Sequence, residues 1–195
     1  MIDLKLFNEL FKDRPSQRKQ EWLVFLEVCE RYLKVNDIKN PVVVEIGVFK
    51  NKQKKFYEQL LGAEHIGIDI SNRRGTPDIL GDTRDPETLT RLKEKLAGRN
   101  INILFIDGCH KYDDVRKDFI AYSPLCNDIV VFHDTEIGRR GGRDGHQAWR
   151  FWDELKDAAY KDDEKLEFLS IQHGHGPGIG MMIKSGQGEG ASVKK

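Results

Sequence analysis

The chain has 195 residues, 38% of them hydrophobic and 33% charged, with 32 lysines and arginines against 32 aspartates and glutamates. That length suits one domain that buries roughly 70% of its unfolded surface without disulfides or a structural metal; the zero charge balance gives no field for nucleic acid, and no apolar run approaches the roughly 20 residues of a membrane span. Three cysteines without a CxxC pair and the charged N-terminus MIDLKLFNELFKDR argue against a disulfide framework and a signal peptide, and so for a soluble, cytoplasmic protein.

Residues 1–40 read as helical. Within 17–34, Trp22, Leu23, Phe25, Leu26, Cys29, Tyr32 and Leu33 recur at spacings of three and four and form one apolar stripe. Ser16 after Pro15 marks a start, and Asn36-Asp37 with Asn40-Pro41 a stop. VVVEIGV at 42–48 is too uniformly apolar for a half-exposed strand and suits a central one buried on both faces. A helix at 51–61 follows, then strand-like HIGIDIS at 65–71, a short strand at 78–80, and a helix at 86–96 with Asp85 as its cap before Pro86. NILFIDG at 102–108 and DIVVFHD at 128–134 read as buried strands around a helix at 113–122. A last helix at 147–157 precedes strands at 165–172 and 179–184, and SGQGEGASVKK at 185–195 reads as a flexible tail.

Strands alternating with helices predict an α/β fold: a doubly wound, mostly parallel seven-stranded sheet at 41–184, with a helical extension at 1–40. Only HGHGPG joins the last two strands, too little for a crossover helix, so they pair antiparallel at an edge. Such a sheet binds ligands beyond the carboxyl ends of its strands. That singles out Glu45 with Gly47, Asp69, Asp82, Asp107, and His133 with Asp134.

In EIGVFKN, Gly47 ends a strand where the chain must turn sharply, and the missing Cβ lets a ligand approach. Phe49, Asn51 and Lys52 stand where a nicotinamide-dinucleotide fingerprint needs glycines, so that fingerprint is absent. Asp69 can accept hydrogen bonds from both ribose hydroxyls of an adenosine, or be a solvated strand end. Asp82, beside Thr83, stands where an acidic or hydroxyl group meets an adenine. FIDGCHKYDD sets Asp107, His110 and Tyr112 past one buried strand, and VVFHDT sets His133 and Asp134 at the end of another, about 4.8 Å away if adjacent. Asp107, Asp134 and His133 can hold a divalent cation, magnesium on carboxylates alone and manganese or a later metal with imidazole. Equally, an aspartate can cap the following turn with a histidine bonded to it. The glycine- and arginine-rich loop at 137–146 reads equally as a cover that closes on an anionic or sugar acceptor and as a merely solvated loop, and His173 and His175 read as turn residues.

The succession EIG, GIDIS, GDTRDPET, FIDGCHKYDDVRKDF, VVFHDT, WRFWDEL and HGPGIG resembles the class I S-adenosylmethionine-dependent methyltransferases over about residues 15–184. More narrowly, it is similar to the small-molecule O-methyltransferase branch that holds sugar and antibiotic methyltransferases and proteins labelled cephalosporin hydroxylase. The resemblance implies a Rossmann-like methyltransferase fold. It implies Glu45, Gly47 and Phe49 at the methionine end of the cofactor, Asp69 at its ribose, Asp82 at its adenine, and Asp107 also in the cofactor site. It further implies Mg2+ or Mn2+ at Asp107, His133 and Asp134, and a general base at His110. Relatives commonly carry glycines near Asn51 and Lys52, and more often pair carboxylate with carboxylate or amide than histidine with aspartate.

The expected activity is methyl transfer from S-adenosyl-L-methionine to a hydroxyl of a small molecule of sugar or natural-product type. His110 is the first candidate to take the hydroxyl proton and His133 the second. The alternative is a methyltransferase-fold protein that binds without turnover; a nicotinamide-dependent oxidoreductase ranks behind both. The expected partner is a hydroxylated small molecule, with neither nucleic acid nor membrane, and the apolar N-terminal helix leaves a homodimer open.

Overall fold

Proline divides the N-terminal helical stretch. In the computed structural model, which describes residues 1–139, 145–159 and 166–184, α1 (Leu4–Phe11) and α2 (Lys19–Val35) flank a turn around Pro15. Asp3 caps α1 by accepting from the backbone of Lys5 and Leu6, whereas Arg18, at the N-cap of α2, makes no side-chain cap. The expected tail at 185–195 and the middle of the 137–146 loop lie outside the described residues. No helix among the described residues is long and apolar enough to cross a membrane.

Seven strands form the sheet: β1 (Val42–Ile46), β2 (Glu64–Asp69), β3 (Ile79–Leu80), β4 (Ile101–Ile106), β5 (Cys126–His133), β6 (Leu166–Ile171) and β7 (Ile179–Lys184). They lie in the order β3-β2-β1-β4-β5-β7-β6. The first five pair in parallel, while β7 runs antiparallel to both β5 and β6. The antiparallel pairing of the last two strands is as expected; the reversed strand, β7, sits one place in, and β6 forms the edge. Between the strands come α3 (Lys54–Leu60), α4 (Pro86–Leu96), α5 (Tyr112–Tyr122) and α6 (Ala148–Ala159).

Period-two alternation sorts the central strands onto two cores. Val42, Val44, Ile46, Leu104, Ile106, Val130 and Phe132 pack against α4, α5 and α6 through Leu92, Val115, Phe151 and Trp152. Val43, Ile103, Phe105, Ile129 and Val131 face α1, α2 and α3 through Phe7, Trp22, Phe25 and Phe56. The N-terminal helices are thus one layer of the same sheet, and Trp22 meets Phe105 edge-on at 5.7 Å.

The turn after β1 is tightly packed against the end of β4. Gly47 has φ +87°, and a Cβ there would lie 2.2 Å from the Asp107 carbonyl oxygen. Gly47 N donates to Ile68 O at 2.8 Å and Asp107 N to Ile46 O at 2.9 Å, so β2, β1 and β4 are tied together where they leave the sheet. Gly47→Ala adds left-handed strain to a backbone clash, and we expect a loss of at least about 2 kcal/mol. Urea unfolding measures it; an unchanged midpoint would contradict the close crossing.

Candidate active site

At the carboxyl ends of the parallel strands lies a cavity of about 1000 Å³, lined on the β2–β1 side by Ile46, Gly47, Phe49, Asp69 and Ile70. Farther along the sheet the lining passes through Asp107, Gly108 and His110 to His133 and Asp134, with Asp82, Thr83 and Asp118 also in the wall. Of the strand-end residues expected from sequence, Glu45 alone is absent from the lining. It shares with Val43 the side of β1 that faces α1, α2 and α3, is fully buried, and meets His65 Nε2 at 2.8 Å. His65 stacks on Tyr57 at 5.4 Å. Burial pushes the Glu45 carboxyl up against the opposing pull of His65.

The absent glycines after Gly47 are replaced by residues that take up glycine-like geometry. Phe49 and Asn51 have φ +49° and +52°, and Asn51 is held there by donating from Nδ2 to Thr76 O at 2.8 Å. Asparagine tolerates this left-handed region better than most residues. The loop directs Phe49 N onto Asp69 Oδ2 at 2.9 Å, and Ser71 N bonds Asp69 Oδ1 at 2.9 Å. Each carboxylate oxygen thus takes one backbone donor and keeps acceptor capacity for a ligand.

Beyond β3, Asp82 is clasped by its own neighbour. Arg84 donates from Nε at 2.9 Å and from Nη2 at 2.6 Å, which holds the Asp82 carboxyl down at about 2. Asp118, on α5, is the residue here that sequence reasoning did not single out, because a lone aspartate in YDDVRKDF reads as part of a solvated helix face. It is 3% exposed and turns into the cavity. Burial raises its carboxyl to about 6, with Thr83 pulling the other way and Asp114 adding to the rise.

The β4–β5 end carries a chain of charges. His133 Nδ1 lies 3.0 Å from Asp107 Oδ1 and 3.1 Å from Asp134 Oδ1. Neither ring nitrogen makes a hydrogen bond of good alignment, so these are charge contacts. Burial opposes the His133 cation, but Asp107 and then Asp134 outweigh it and push its pKa up to about 10. Burial likewise opposes the Asp134 anion, and His133 holds it down at about 2. Asp134 has φ +61°, a conformation uncommon outside glycine. Its other oxygen faces His110 Nδ1 at 3.2 Å and His146 Nδ1 at 2.8 Å, and the two imidazoles stack at 4.7 Å.

The expected metal set does not converge. Among the described residues, the group whose three donor atoms all lie within 4.8 Å of one another is His110, Asp134 and His146. It shares only Asp134 with Asp107, His133 and Asp134, whose carboxylates are engaged by the imidazolium between them. His146 sits in the loop read as a substrate cover, and no local motif marks it as a partner of Asp134. It is set by the fold: Gly138 packs on the His146 carbonyl, and Gln147 N donates to His110 O at 2.6 Å.

No protein-family model matches the sequence. A curated relative, the uncharacterized protein y4gI of Sinorhizobium fredii (strain NBRC 101917 / NGR234), is 32% identical over 92 residues, covering 46% of this chain but only 9% of y4gI. Among solved structures, the chain is similar to the MycE methyltransferase of the mycinamycin biosynthetic pathway, in complex with Mg and SAH. TM-score is 0.56 and identity 20%, over 83% of this chain and 49% of MycE. It is also similar to the O-methyltransferase TomG of Streptomyces achromogenes in complex with SAM, with TM-score 0.57 and 14% identity over 83% and 89% of the two chains. The O-methyltransferase of Bacillus cereus in complex with SAH gives TM-score 0.54 and 13% identity over 83% and 80%. These likenesses establish the fold as the Rossmann-like methyltransferase fold.

The raised Asp118 carboxyl has a consequence for stability. Because its folded pKa of about 6 exceeds the ordinary aspartate value of 3.8, the folded state binds this proton more tightly, so stability falls as pH rises from about 4 to about 6 and stays lower above. Asp118→Asn removes that slope and, above pH 6, stabilises the ligand-free protein by up to about 3 kcal/mol. Urea midpoints across pH measure this; equal pH dependence in both proteins would contradict it.

Proposed function

We propose that the protein is an S-adenosylmethionine-dependent O-methyltransferase acting on a hydroxyl of a small molecule. The observation that carries this is the order of groups along one cavity: Asp82 and Thr83 after β3, Asp69 after β2, Gly47 after β1, Asp107 after β4, then His133 and Asp134 at β5. An adenosyl ligand laid along that line has its ribose on Asp69 and its adenine towards Thr83 and Asp118. Its sulfur then faces the His110–Asp134 end. The fit at Asp69 is chemical: two backbone donors already orient the carboxylate, and its spare acceptor sites match the two ribose hydroxyls. The resemblance of SAM- and SAH-bound neighbours adds support at the level of the fold.

S-adenosylmethionine, when bound, supplies a methyl group on a sulfonium, open to in-line displacement. The chain's own tasks are to align the acceptor oxygen with that methyl and to relieve it of its proton. His110 stands first for the second task. With Nδ1 facing the Asp134 carboxylate, its Nε2 keeps the lone pair, and the carboxylate steadies the imidazolium that forms. His133, buried and held as a cation between two carboxylates, instead fixes Asp107 and Asp134 and neutralises part of their charge. A divalent cation, when held by His110, Asp134 and His146, would supply Lewis-acid assistance to the same deprotonation.

Calorimetric titration with S-adenosylhomocysteine tests the cofactor assignment. Asp69→Ala should weaken binding by at least about tenfold while the fold persists; unchanged affinity would remove Asp69 from the site. With an acceptor in hand, His110→Ala should lower turnover by on the order of 10²–10⁴-fold and leave cofactor affinity nearly unchanged. Wild-type activity that EDTA abolishes and manganese restores would move the deprotonation from the free imidazole to an ion.

A further inference from the structure

Two loops at the mouth of the cavity are rich in cations. The one after β1 reads FKNKQKK at 49–55, and the one after β2 reads NRRG at 72–75. Backbone contacts lock them together. A Cβ on Gly75 would lie 2.4 Å from Phe49 O, and Asn51 Nδ2 donates to Thr76 O at 2.8 Å. The fold thus gathers these charges before any ligand arrives, which lowers the entropic cost of binding one.

The charges are largely unanswered. Lys50, Arg73 and Arg74 are exposed and make no ion pair among the described residues. Lys50 Nζ and Arg74 Cζ lie 5.6 and 5.0 Å from the centre of the Phe49 ring. Nearby, Lys52 donates to the Asp13 carbonyl while Lys55 takes the Asp13 carboxylate. Two unpaired cations therefore stand over one ring that itself lines the cavity, with Arg73 next along the chain.

The interior has the opposite character, with Asp69, Asp107 and Asp134 in its lining. Such a field sorts a ligand that carries an anion at one end and a hydroxyl at the other: the anion stays at the rim and the hydroxyl goes inside. Cations this close together call for more than one negative charge on a single group. A phosphate monoester carries close to two at neutral pH, and its oxygens match a guanidinium fork beside an ammonium. Phe49 and Ile70, 40% and 67% exposed, offer apolar surface to whatever joins the phosphate to the hydroxyl. In the order β1-β4-β5, the rim after β1 lies two strand spacings from Asp134, or roughly 10 Å. One small molecule spans that distance.

We propose that this rim holds a phosphate group of the methyl acceptor, with Lys50, Arg73 and Arg74 as its partners, so that the acceptor is a phosphorylated small molecule. The assignment rests on the methyl-transfer function proposed above. It places substrate selection on two loops that take no part in the deprotonation.

Inorganic pyrophosphate serves as the probe, titrated by calorimetry into the protein alone and into the protein saturated with S-adenosylhomocysteine. Wild type should bind it in both states with similar affinity, and more weakly as salt rises from about 50 to about 500 mM. The triple variant Lys50→Gln/Arg73→Gln/Arg74→Gln should lose at least about tenfold, from about twofold to fivefold at each charge. Its affinity for S-adenosylhomocysteine should be retained, which also certifies the fold. No pyrophosphate binding by wild type, or equal binding by the triple variant, overturns the phosphate site and leaves the proposed function standing. Mutual exclusion of the two ligands overturns the assignment to the acceptor, which must sit beside the cofactor. Hexaglutamate that binds as tightly as pyrophosphate overturns it in favour of an acidic protein, and oligothymidylate whose affinity climbs with chain length in favour of a nucleic acid. Wild type that binds no S-adenosylhomocysteine overturns the proposed function, and the acceptor assignment with it, whatever pyrophosphate does.

Discussion

The site depends on how closely two pieces of backbone pass each other. Gly47 turns out of β1 against the carbonyl of Asp107, with no room for a Cβ between them. That contact holds the first turn low, so that Phe49 N reaches the carboxylate of Asp69 on one side. On the other side it fixes the start of the loop after β4, from which Asp107 and His110 face the cavity. A bulkier residue at Gly47 would lift the turn and uncouple the Asp69 half of the cavity from the half that carries the histidines.

Electrostatics then divides the cavity by task. The Asp69 carboxylate keeps free acceptor sites because only backbone donors hold it. Asp82 is sequestered by Arg84, while Thr83, Asp114 and the buried Asp118 are further polar groups in that wall. At the far end, a buried imidazolium lies between Asp107 and Asp134 where two carboxylates alone would repel each other. The His–Asp pair that departs from the usual carboxylate pair is thereby explained. The histidine brings its own positive charge between the two acids.

Much of this was legible in the sequence. The buried runs VVVEI and DIVVFH, the Asp85-Pro86 cap and the short HGHGPG connection carry the strand content, one helix start and the antiparallel closing pair, all of which obey local rules. Asp69, Asp107, His110, His133 and Asp134 are legible as residues that line the cavity because a parallel sheet presents its strand ends to one crevice. What escaped depends on side-chain direction and long-range packing. Glu45 alternates onto the face covered by α1, α2 and α3, where it meets His65; His146 reaches Asp134 across a loop; and Gln17 meets Asp107 only because α2 packs on β4 through Trp22 and Phe105. No spacing rule links residues so far apart in the chain.

The account's central claim is that one ligand lies along the strand ends from Asp82 to Asp134. A crystal structure of the protein with S-adenosylhomocysteine measures this directly. The account predicts both ribose hydroxyls on the Asp69 carboxylate and the sulfur on the His110–Asp134 side of Gly47. An adenosyl group bound elsewhere, or Asp69 left without a ribose contact, would contradict it.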